Sequence, residues 1–319
     1  MRLGFLVKIL GQGGLKEHDS RRWQNEPHLS VSLVYLRDIF EYLRLKQIRM
    51  YRMSSDLAPY LTHPDLPQFH DQIDECLNEL EEVGELARVQ GLRLSFHPSL
   101  HVVINSADDA LVAKSAADLS VQARLLDAMG LGVEAVIVIH VGGVYGNAAA
   151  ARERFVRNLV RLPEATRRRL VLENDDGRFC VEDTVWIHQR TGIRLVFDNL
   201  HHLIHNPERV PTAEALAMCL GTWPPDVRPK IHFSSPRTEM RVNEQRDPET
   251  GRRTQVLQEP IWTRHADFVN PFEFIALMQQ AASLRPFDVM LEIKAKDLAL
   301  LRLRRDLARF APDLAGAIF

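Results

Sequence analysis

Histidine and carboxylate residues recur in this sequence at the ends of short apolar runs. Six runs end in, or are closely followed by, potential metal ligands, namely His97, His140, Glu173, Asp198 with His201, His232 and Glu292. Imidazole and carboxylate groups together are typical ligands of zinc, manganese and iron. Because one ion cannot use so many groups, the pattern predicts two or three divalent ions held close together.

Clustered divalent ions favour one reaction class. They suit in-line displacement at phosphorus because they lower the pKa of a bridging water, orient the phosphate and neutralise charge on the attacking and leaving oxygens. Phosphodiester hydrolysis is therefore the leading interpretation. A metal-dependent sugar isomerase is the alternative, since such enzymes also hold their ions with Glu, Asp and His. Isomerases usually present aromatic walls to the sugar, and few aromatic residues lie near these positions: Phe96, Tyr145, Phe197 and Phe233.

These ligands can converge only if the apolar runs are parallel strands that end at one edge. The run Val136-Ile-Val-Ile-His140 is nearly continuous and β-branched, which is typical of a parallel strand buried on both faces. Eight such runs alternate with amphipathic stretches, which predicts a (β/α)8 barrel, with a doubly wound open sheet as the alternative. The predicted strands cover residues 2–9, 47–52, 91–96, 135–141, 169–173, 194–198, 229–233 and 288–293. The clearest predicted helices cover residues 33–45, 71–89, 108–129 and 271–283.

Composition narrows the class of protein. The chain has 319 residues, of which 45% are hydrophobic and 26% charged, and its net charge is −2. No linker-like stretch divides it, so we expect a single domain over residues 1–319. Cys76, Cys180 and Cys219 are odd in number and widely spaced, which argues against a disulfide framework and fits the cytoplasm. No apolar stretch is long enough for a membrane span, and any contact with nucleic acid must come from a local basic patch.

One segment departs from the alternation of strands and helices. Residues 234–264 carry six arginines, several acids and little apolar periodicity, which predicts a long loop after the seventh strand of the barrel. Loops of this length are uncommon unless they act as a lid or a binding loop. A solvated excursion without function is the open alternative.

An ordered set of motifs gives the chain a family resemblance. The motifs are Arg52-x-Ser54-Ser55, Thr62-His63-Pro64, Ser95-Phe96-His97-Pro98, Ile139-His140-Val141-Gly142-Gly143, Leu172-Glu173-Asn174-Asp175-Asp176, Asp198-x-x-His201-His202, Lys230-Ile231-His232-Phe233-Ser234-Ser235-Pro236, His265-Ala266-Asp267 and Glu292-Ile293-Lys294-Ala295-Lys296-Asp297. Each motif alone is weak, but the set in this order is specific. The chain resembles the UV damage endonuclease family, barrel enzymes related in architecture to endonuclease IV.

The resemblance implies a DNA repair endonuclease, a hydrolase that nicks the backbone immediately 5′ to UV photoproducts and that can act on other lesions. The implied partner is damaged double-stranded DNA, and we expect a monomer without an obligate protein partner. The implied cofactors are two or three divalent ions, with Mn2+ as the implied metal and Zn2+ or Mg2+ as alternatives. An abasic-site endonuclease of the endonuclease IV type is the alternative within the nuclease class.

Carried over position by position, the resemblance also assigns roles. The implied metal ligands are His97, His140, Glu173, Asp198, His201, His232, His265 and Glu292. The implied catalytic residues are Glu173, Lys230, His232 and Glu292, and Lys230 stands where the family has a modified lysine. Residues expected to support the ligands or to contact substrate are His63, Asn174, His202 and Ser234.

The loop after the third strand differs from the family pattern of a polar and an aromatic residue that probe the duplex. Here the run is Ser99-Leu100-His101, in which Leu100 could act as an apolar wedge and His101 could stack on a base. Candidates for contacts to the DNA backbone, with solvated surface charge as the alternative, are Arg21, Arg22, Arg237 and Arg241.

Overall fold

The computed structural model describes residues 1–318, in which eight parallel strands form a barrel and two further strands form a hairpin. The strands are β1 (Leu3–Leu6), β2 (Met50–Arg52), β3 (Arg93–Phe96), β4 (Val136–His140), β5 (Leu170–Glu173), β6 (Arg194–Val196), β7 (Lys230–Phe233), β8 (Arg241–Arg246), β9 (Arg253–Gln258) and β10 (Asp288–Leu291). The parallel strands pair in the order β6-β5-β4-β3-β2-β1-β10-β7. A parallel bridge between Asp198 and His232 then joins β6 to β7, so the predicted (β/α)8 barrel is confirmed.

Helices connect the strands and cover the outside of the barrel. They are α1 (Leu29–Leu45), α2 (Gln72–Glu75), α3 (Leu77–Val89), α4 (Asp109–Ala128), α5 (Ala148–Leu159), α6 (Glu164–Arg167), α7 (Val181–Thr191), α8 (Asn199–Ile204), α9 (Thr212–Gly221), α10 (Pro271–Gln280), α11 (Lys296–Phe310) and α12 (Pro312–Gly316). The helix predicted over residues 71–89 is interrupted at Cys76, between α2 and α3. Side-chain caps start several of the others: Asp108 accepts from the Ala110 N–H at 2.9 Å before α4, as expected for an N-cap residue. No helix within residues 1–318 has the length and apolarity that crossing a membrane requires.

The core has an inner and an outer part because side chains alternate along each strand. In β4, Ile137 and Ile139 belong to the large cluster between the sheet and the helices, whereas Val136 and Val138 belong to a smaller valine-rich cluster on the other face. Both sets are buried. The near-continuous apolar run of the sequence is therefore the signature of a strand with no solvent face.

The prediction that residues 234–264 form a loop without regular structure is wrong in part. Strands β8 and β9 pair along six residues each as an antiparallel hairpin. The hairpin is solvent-exposed on both faces, so no alternation of apolar and polar residues marks its strands. The available signal was the turn between them, in which the Asp247 carboxylate accepts from the N–H groups of Glu249 and Thr250 at 2.9 and 2.7 Å and Gly251 adopts a φ of +67°.

Candidate metal centre

The carboxyl ends of the barrel strands bring most of the predicted ligands together. His140 and Glu173 are the last residues of β4 and β5, and His232 lies within β7. His97 follows β3 directly, Asp198 follows β6 and Glu292 follows β10. The chain can leave β4 sharply because Gly142 adopts a φ of +114°, and a side chain there would collide with the Asn105 Oδ1 atom.

Two sets of potential ligands overlap at one residue. The first set is His97, His140 and Glu173, and the second is Glu173, Asp198, His232 and Glu292; within each set one donor atom per residue lies within 4.8 Å of the others. Glu173 belongs to both. Its Oε2 atom lies 3.2 Å from His97 Nε2 and 3.7 Å from His140 Nε2, while its Oε1 atom lies 2.9 Å from His232 Nδ1. The two carboxylate oxygens thus face two different groups of potential ligands.

The donor set fits bound cations because several of its atoms are buried without a partner. Glu173 Oε1, Asp198 Oδ2, His140 Nδ1 and His232 Nδ1 are buried and form no hydrogen bond with any atom of residues 1–318, since the 2.9 Å contact between Glu173 Oε1 and His232 Nδ1 lacks hydrogen-bond geometry. Leaving buried polar atoms unpaired costs about 1–3 kcal/mol each, more for charged groups. A divalent ion would pair with the lone pairs of the carboxylates and imidazoles together, and these hard and intermediate donors suit Mn2+ or Zn2+.

The electrostatics of the cluster point the same way. Burial, together with the charges of Glu292 and Asp198, raises the pKa of the Glu173 carboxyl well above its usual range. Burial also lowers the pKa of His97 and His232 well below the usual range, with the charge of Arg52 adding to the effect at both. Neutral imidazoles are the form that binds metals. The raised pKa of Glu173 shows that its negative charge is poorly compensated by the surrounding residues, and a bound cation would supply the missing positive charge.

Arg52, at the end of β2, is the principal residue of the site that the search for ligands missed. Its Nη2 atom donates to Glu292 Oε1 and lies 3.0 Å from His232 Nε2. Burial alone would raise the pKa of the Glu292 carboxyl, but the charge of Arg52, helped by the neighbouring imidazoles, holds that pKa well below its usual range. The same strand-end rule that selected His140 and Glu173 would have found Arg52 had cationic residues been included.

His201 and His265 border the cluster without joining either donor set. The Nδ1 atom of His201 lies 2.9 Å from the Asn174 carbonyl oxygen, and that of His265 lies against the Glu292 carbonyl oxygen. Since a carbonyl only accepts, both Nδ1 atoms donate, which leaves each Nε2 atom as a potential ligand. The ring centroids are 6.0 Å apart, and both residues line a cavity of about 850 Å3 that also contacts His97, His140 and Glu292.

The structure divides the residues that were expected to support the site. Asn174 is in place: its Oδ1 accepts from the Asp198 N–H at 2.9 Å and its Nδ2 donates to the Asp198 carbonyl at 3.1 Å. Ser234 is buried two residues after His232 on the chain, and its N–H donates to Asn199 Oδ1 at 2.9 Å. His202 faces away from the cluster and contacts the Val210 carbonyl. His63 is exposed in a turn and contacts none of the clustered ligands.

Lys230 lies beneath the cluster and is fully buried. Its Nζ atom donates to Ser95 Oγ at 3.2 Å, and its side chain has no exposed surface. Burial, with the charges of Arg52 and Arg93, lowers the pKa of the Lys230 amine well below its usual range.

The predicted probe residues Ser99, Leu100 and His101 form the exposed tip of the loop after β3 and line the cavity that holds the cluster. Leu100 is 75% exposed at the rim of this cavity. The arginines that were expected to contact the DNA backbone lie in different environments. Arg21 pairs with Asp19 at 2.6 Å and Arg241 pairs with Asp267 at 2.6 Å, while Arg237 is buried near the mouth of the barrel.

Fold and side chains together define a (β/α)8 barrel with an imidazole–carboxylate cluster at the carboxyl ends of its strands. The family model described as UV-endonuclease UvdE matches residues 27–313, and the chain belongs to this family. The predicted resemblance is confirmed. Membership supports a DNA repair endonuclease, a DNA-cleaving enzyme.

Individual relatives agree with the family match. The UV DNA damage endonuclease of Bacillus velezensis is 34% identical over 276 residues, which cover 85% of this chain and 79% of the relative. That of Bacillus mycoides is 35% identical over 268 residues, which cover 83% and 77%. The crystal structure of SacUVDE is 29% identical with a TM-score of 0.78 and covers 97% of this chain and 98% of that one. An L-ribulose 3-epimerase, 14% identical with a TM-score of 0.55 and covering 99% and 93% of the two chains, shares the barrel fold.

Proposed function

We propose that this protein is a metal-dependent endonuclease that nicks duplex DNA immediately 5′ to UV photoproducts and other lesions, with two or three divalent ions of which Mn2+ is the preferred one. The observation that carries the proposal is the position of Glu173, whose two oxygens face separate donor sets in a chain of the UV-endonuclease family. When bound, divalent ions at such a site would lower the pKa of a water and neutralise charge on the oxygens of an in-line displacement at phosphorus.

The residues of the chain then have distinct tasks. Glu173, Asp198 and Glu292 would hold the ions together with His97, His140, His201, His232 and His265. Asn174 fixes Asp198 through both backbone groups, and Arg52 fixes Glu292 and His232. Lys230 would act on the metal side, because it stands at the start of β7, two residues before His232, and therefore lies deeper in the barrel than the ligands that would separate it from the DNA.

Lesion recognition is assigned to the exposed loop Ser99-Leu100-His101. Damaged or abasic steps unstack at lower cost than intact ones, so a bent and opened duplex is reached more readily there. An apolar side chain at the rim of the catalytic cavity can stabilise that opened state by inserting between bases. The products would be a 3′-hydroxyl and a 5′-phosphate.

One assay tests this function. The purified protein is incubated with Mn2+ and an end-labelled duplex that carries a single photoproduct, abasic site or mismatch, and the strands are separated on a denaturing gel. A nick directly 5′ to the lesion, absent in the Glu173→Gln variant and in EDTA, is the expected result. A full-length strand with a gel shift would instead assign the protein to binding without cleavage, and nicking by Glu173→Gln would refute the role of the cluster.

A further inference from the structure

The ribbon formed by β8 and β9 has two chemically different faces. Residues that pair directly across the two strands share a face. One face, here called the amide face, carries Arg241, Asn243, Gln245, Thr254, Val256 and Gln258. The opposite face carries Val242, Glu244, Arg246, Arg253, Gln255 and Leu257. The amide face has no carboxylate although the chain contains 42 acidic residues, and its amides are hydrogen-bond donors suited to phosphate oxygens and base edges.

The base of the ribbon, where Arg241 pairs with Gln258 and here called the foot, determines where the amide face lies relative to the metal centre. Arg241, on this face, pairs with the Asp267 carboxylate at 2.6 Å. Asp267 stands two residues after His265, which lines the cavity of the metal centre. The segment before β8 is tied to the same place, because Pro236 and His265 form an antiparallel bridge. The amide face therefore begins at the mouth of the barrel.

Positive charge collects at this foot. The Arg237 N–H donates to the Arg264 carbonyl at 2.7 Å and the Lys294 N–H donates to the Ala266 carbonyl at 3.0 Å, so these three basic residues gather around the segment that also holds Asp267, the partner of Arg241. The net charge of −2 over the whole chain therefore hides a local basic patch beside the metal centre. Such patches attract the DNA backbone.

Arg237 is the most unusual member of this patch. The residue is 3% exposed. Within residues 1–318 its Nε atom has no hydrogen-bond partner, and no carboxylate forms an ion pair with it. A buried guanidinium without a counterion is costly. A phosphate group can accept two parallel hydrogen bonds from the planar guanidinium of an arginine.

We propose that the β8–β9 ribbon is a DNA-binding arm, whose amide face lies along the duplex beside the cleavage site while Arg237 at its foot binds a backbone phosphate. The proposal rests on the proposed function, since it names the element that holds the substrate of the same site. Two-stranded ribbons fit the major groove. The opposite face also carries Arg246, but it includes a carboxylate, Glu244, which pairs with Arg253 at 3.1 Å. It also carries Val242 and Leu257, which are paired and exposed apolar residues.

The two faces offer a matched pair of substitutions. Gln245 and Gln255 are both exposed, lie on opposite faces and occupy adjacent register positions, opposite Thr254 and Glu244 respectively. We expect Gln245→Glu to raise the Kd for an undamaged duplex of about two helical turns by roughly fivefold or more, because it sets a carboxylate against phosphate. Gln245→Lys should lower the Kd. The matched Gln255→Glu and Gln255→Lys variants should leave it within about twofold.

The measurement is fluorescence anisotropy of a labelled duplex with the full chain and Mn2+, and thermal melts check that the variants remain folded. Equal effects at both positions, or none at Gln245, would overturn the proposal. A second variant, in which the ribbon is shortened between residues 242 and 257, gives a further test. If it changes the oligomeric state in size-exclusion chromatography but leaves the Kd unaltered, the ribbon serves self-association and the proposal is overturned. The proposed function is read separately, from the lesion-specific nick of the unmodified chain.

Discussion

Asp198 and His232 pair through their backbones where the barrel closes, and the side chains of the same two residues belong to one set of potential metal ligands. The His232 N–H donates to the Phe197 carbonyl at 2.9 Å, and β6 and β7 are joined by this bridge rather than by a longer ladder. The contact that closes the barrel therefore also positions two of the potential metal ligands.

This coupling predicts that bound metal protects the closing hydrogen bond. A ligand that binds only the folded state stabilises it by mass action. Here the ligand would bind beside the bridge between β6 and β7 that closes the barrel, which is called the seam below. Amide hydrogen exchange at His232 should slow on addition of Mn2+ and recover in EDTA. The control is the Ile137 N–H, which donates to the Arg169 carbonyl at 2.8 Å between β4 and β5, two strand pairs away from the closing bridge. Equal protection of both amides would show that the seam has no special link to the metal.

Glu173→Gln should abolish nicking and release metal, but should stabilise the metal-free protein. Folding raises the pKa of the Glu173 carboxyl, so the metal-free folded state loses stability as the pH rises above the ordinary carboxyl value of about 4.3. The gain in Tm from Glu173→Gln should therefore grow with pH in EDTA and reverse in Mn2+. Elemental analysis and thermal melts measure both effects. A variant less stable than the parent in EDTA at neutral pH would contradict the electrostatic argument.

Arg52→Leu should leave Glu292 as an uncompensated buried charge. Removing one partner of a buried ion pair costs about 3–5 kcal/mol. Because Glu292 faces the metal centre, Mn2+ should recover part of this loss, whereas EDTA should expose all of it. Denaturant unfolding with and without Mn2+ measures the difference.

Arg93→Leu is the matched control for that experiment. Arg93 and Asp288 form an ion pair of 3.0 Å with both side chains fully buried, but they lie at the start of β3 and β10, away from the ligands. The variant should lose less stability than Arg52→Leu, because Arg2 and Arg228 remain 3.2 and 3.7 Å from Asp288, and the loss should show no recovery in Mn2+. Equal recovery for both variants would show that the metal stabilises the barrel as a whole and that Arg52 has no particular role in charge balance.

Much of the site could be predicted from the sequence because a buried parallel strand and the polar residue that ends it are both local features. His140 after Val136-Ile-Val-Ile and Glu173 after Leu170-Val-Leu are of this kind. His265 lies beyond a long excursion, so only the resemblance to a family could place it. Arg52 also ends a strand and could be selected by the same local rule, but its role toward Glu292 and His232 becomes visible only when the fold brings these residues together. The hairpin of β8 and β9 was missed because its exposed strands carry no apolar alternation.

The exposed loop after β3 supports a prediction that separates recognition from catalysis. Leu100 lies at the rim of the cavity but contributes no ligand atom. Leu100→Ala should therefore lower the ratio of nicking on lesion-bearing to intact duplex while metal content stays unchanged. If insertion of this side chain stabilises the opened duplex, its loss should cost a few kcal/mol at most, the scale of unstacking one base step. The ratio is measured on paired substrates that differ only in the lesion.

A second exposed leucine makes the comparison rigorous. Leu45, at the end of α1 before β2, is 62% exposed and lies toward the amino ends of the strands, so Leu45→Ala makes the same chemical change far from the mouth of the barrel. It should leave the nicking ratio unchanged. If both variants lose discrimination equally, the effect is one of general stability. If neither does, the loop plays no part in recognition, and opening of the duplex must then rest on the deformability of the damaged DNA itself.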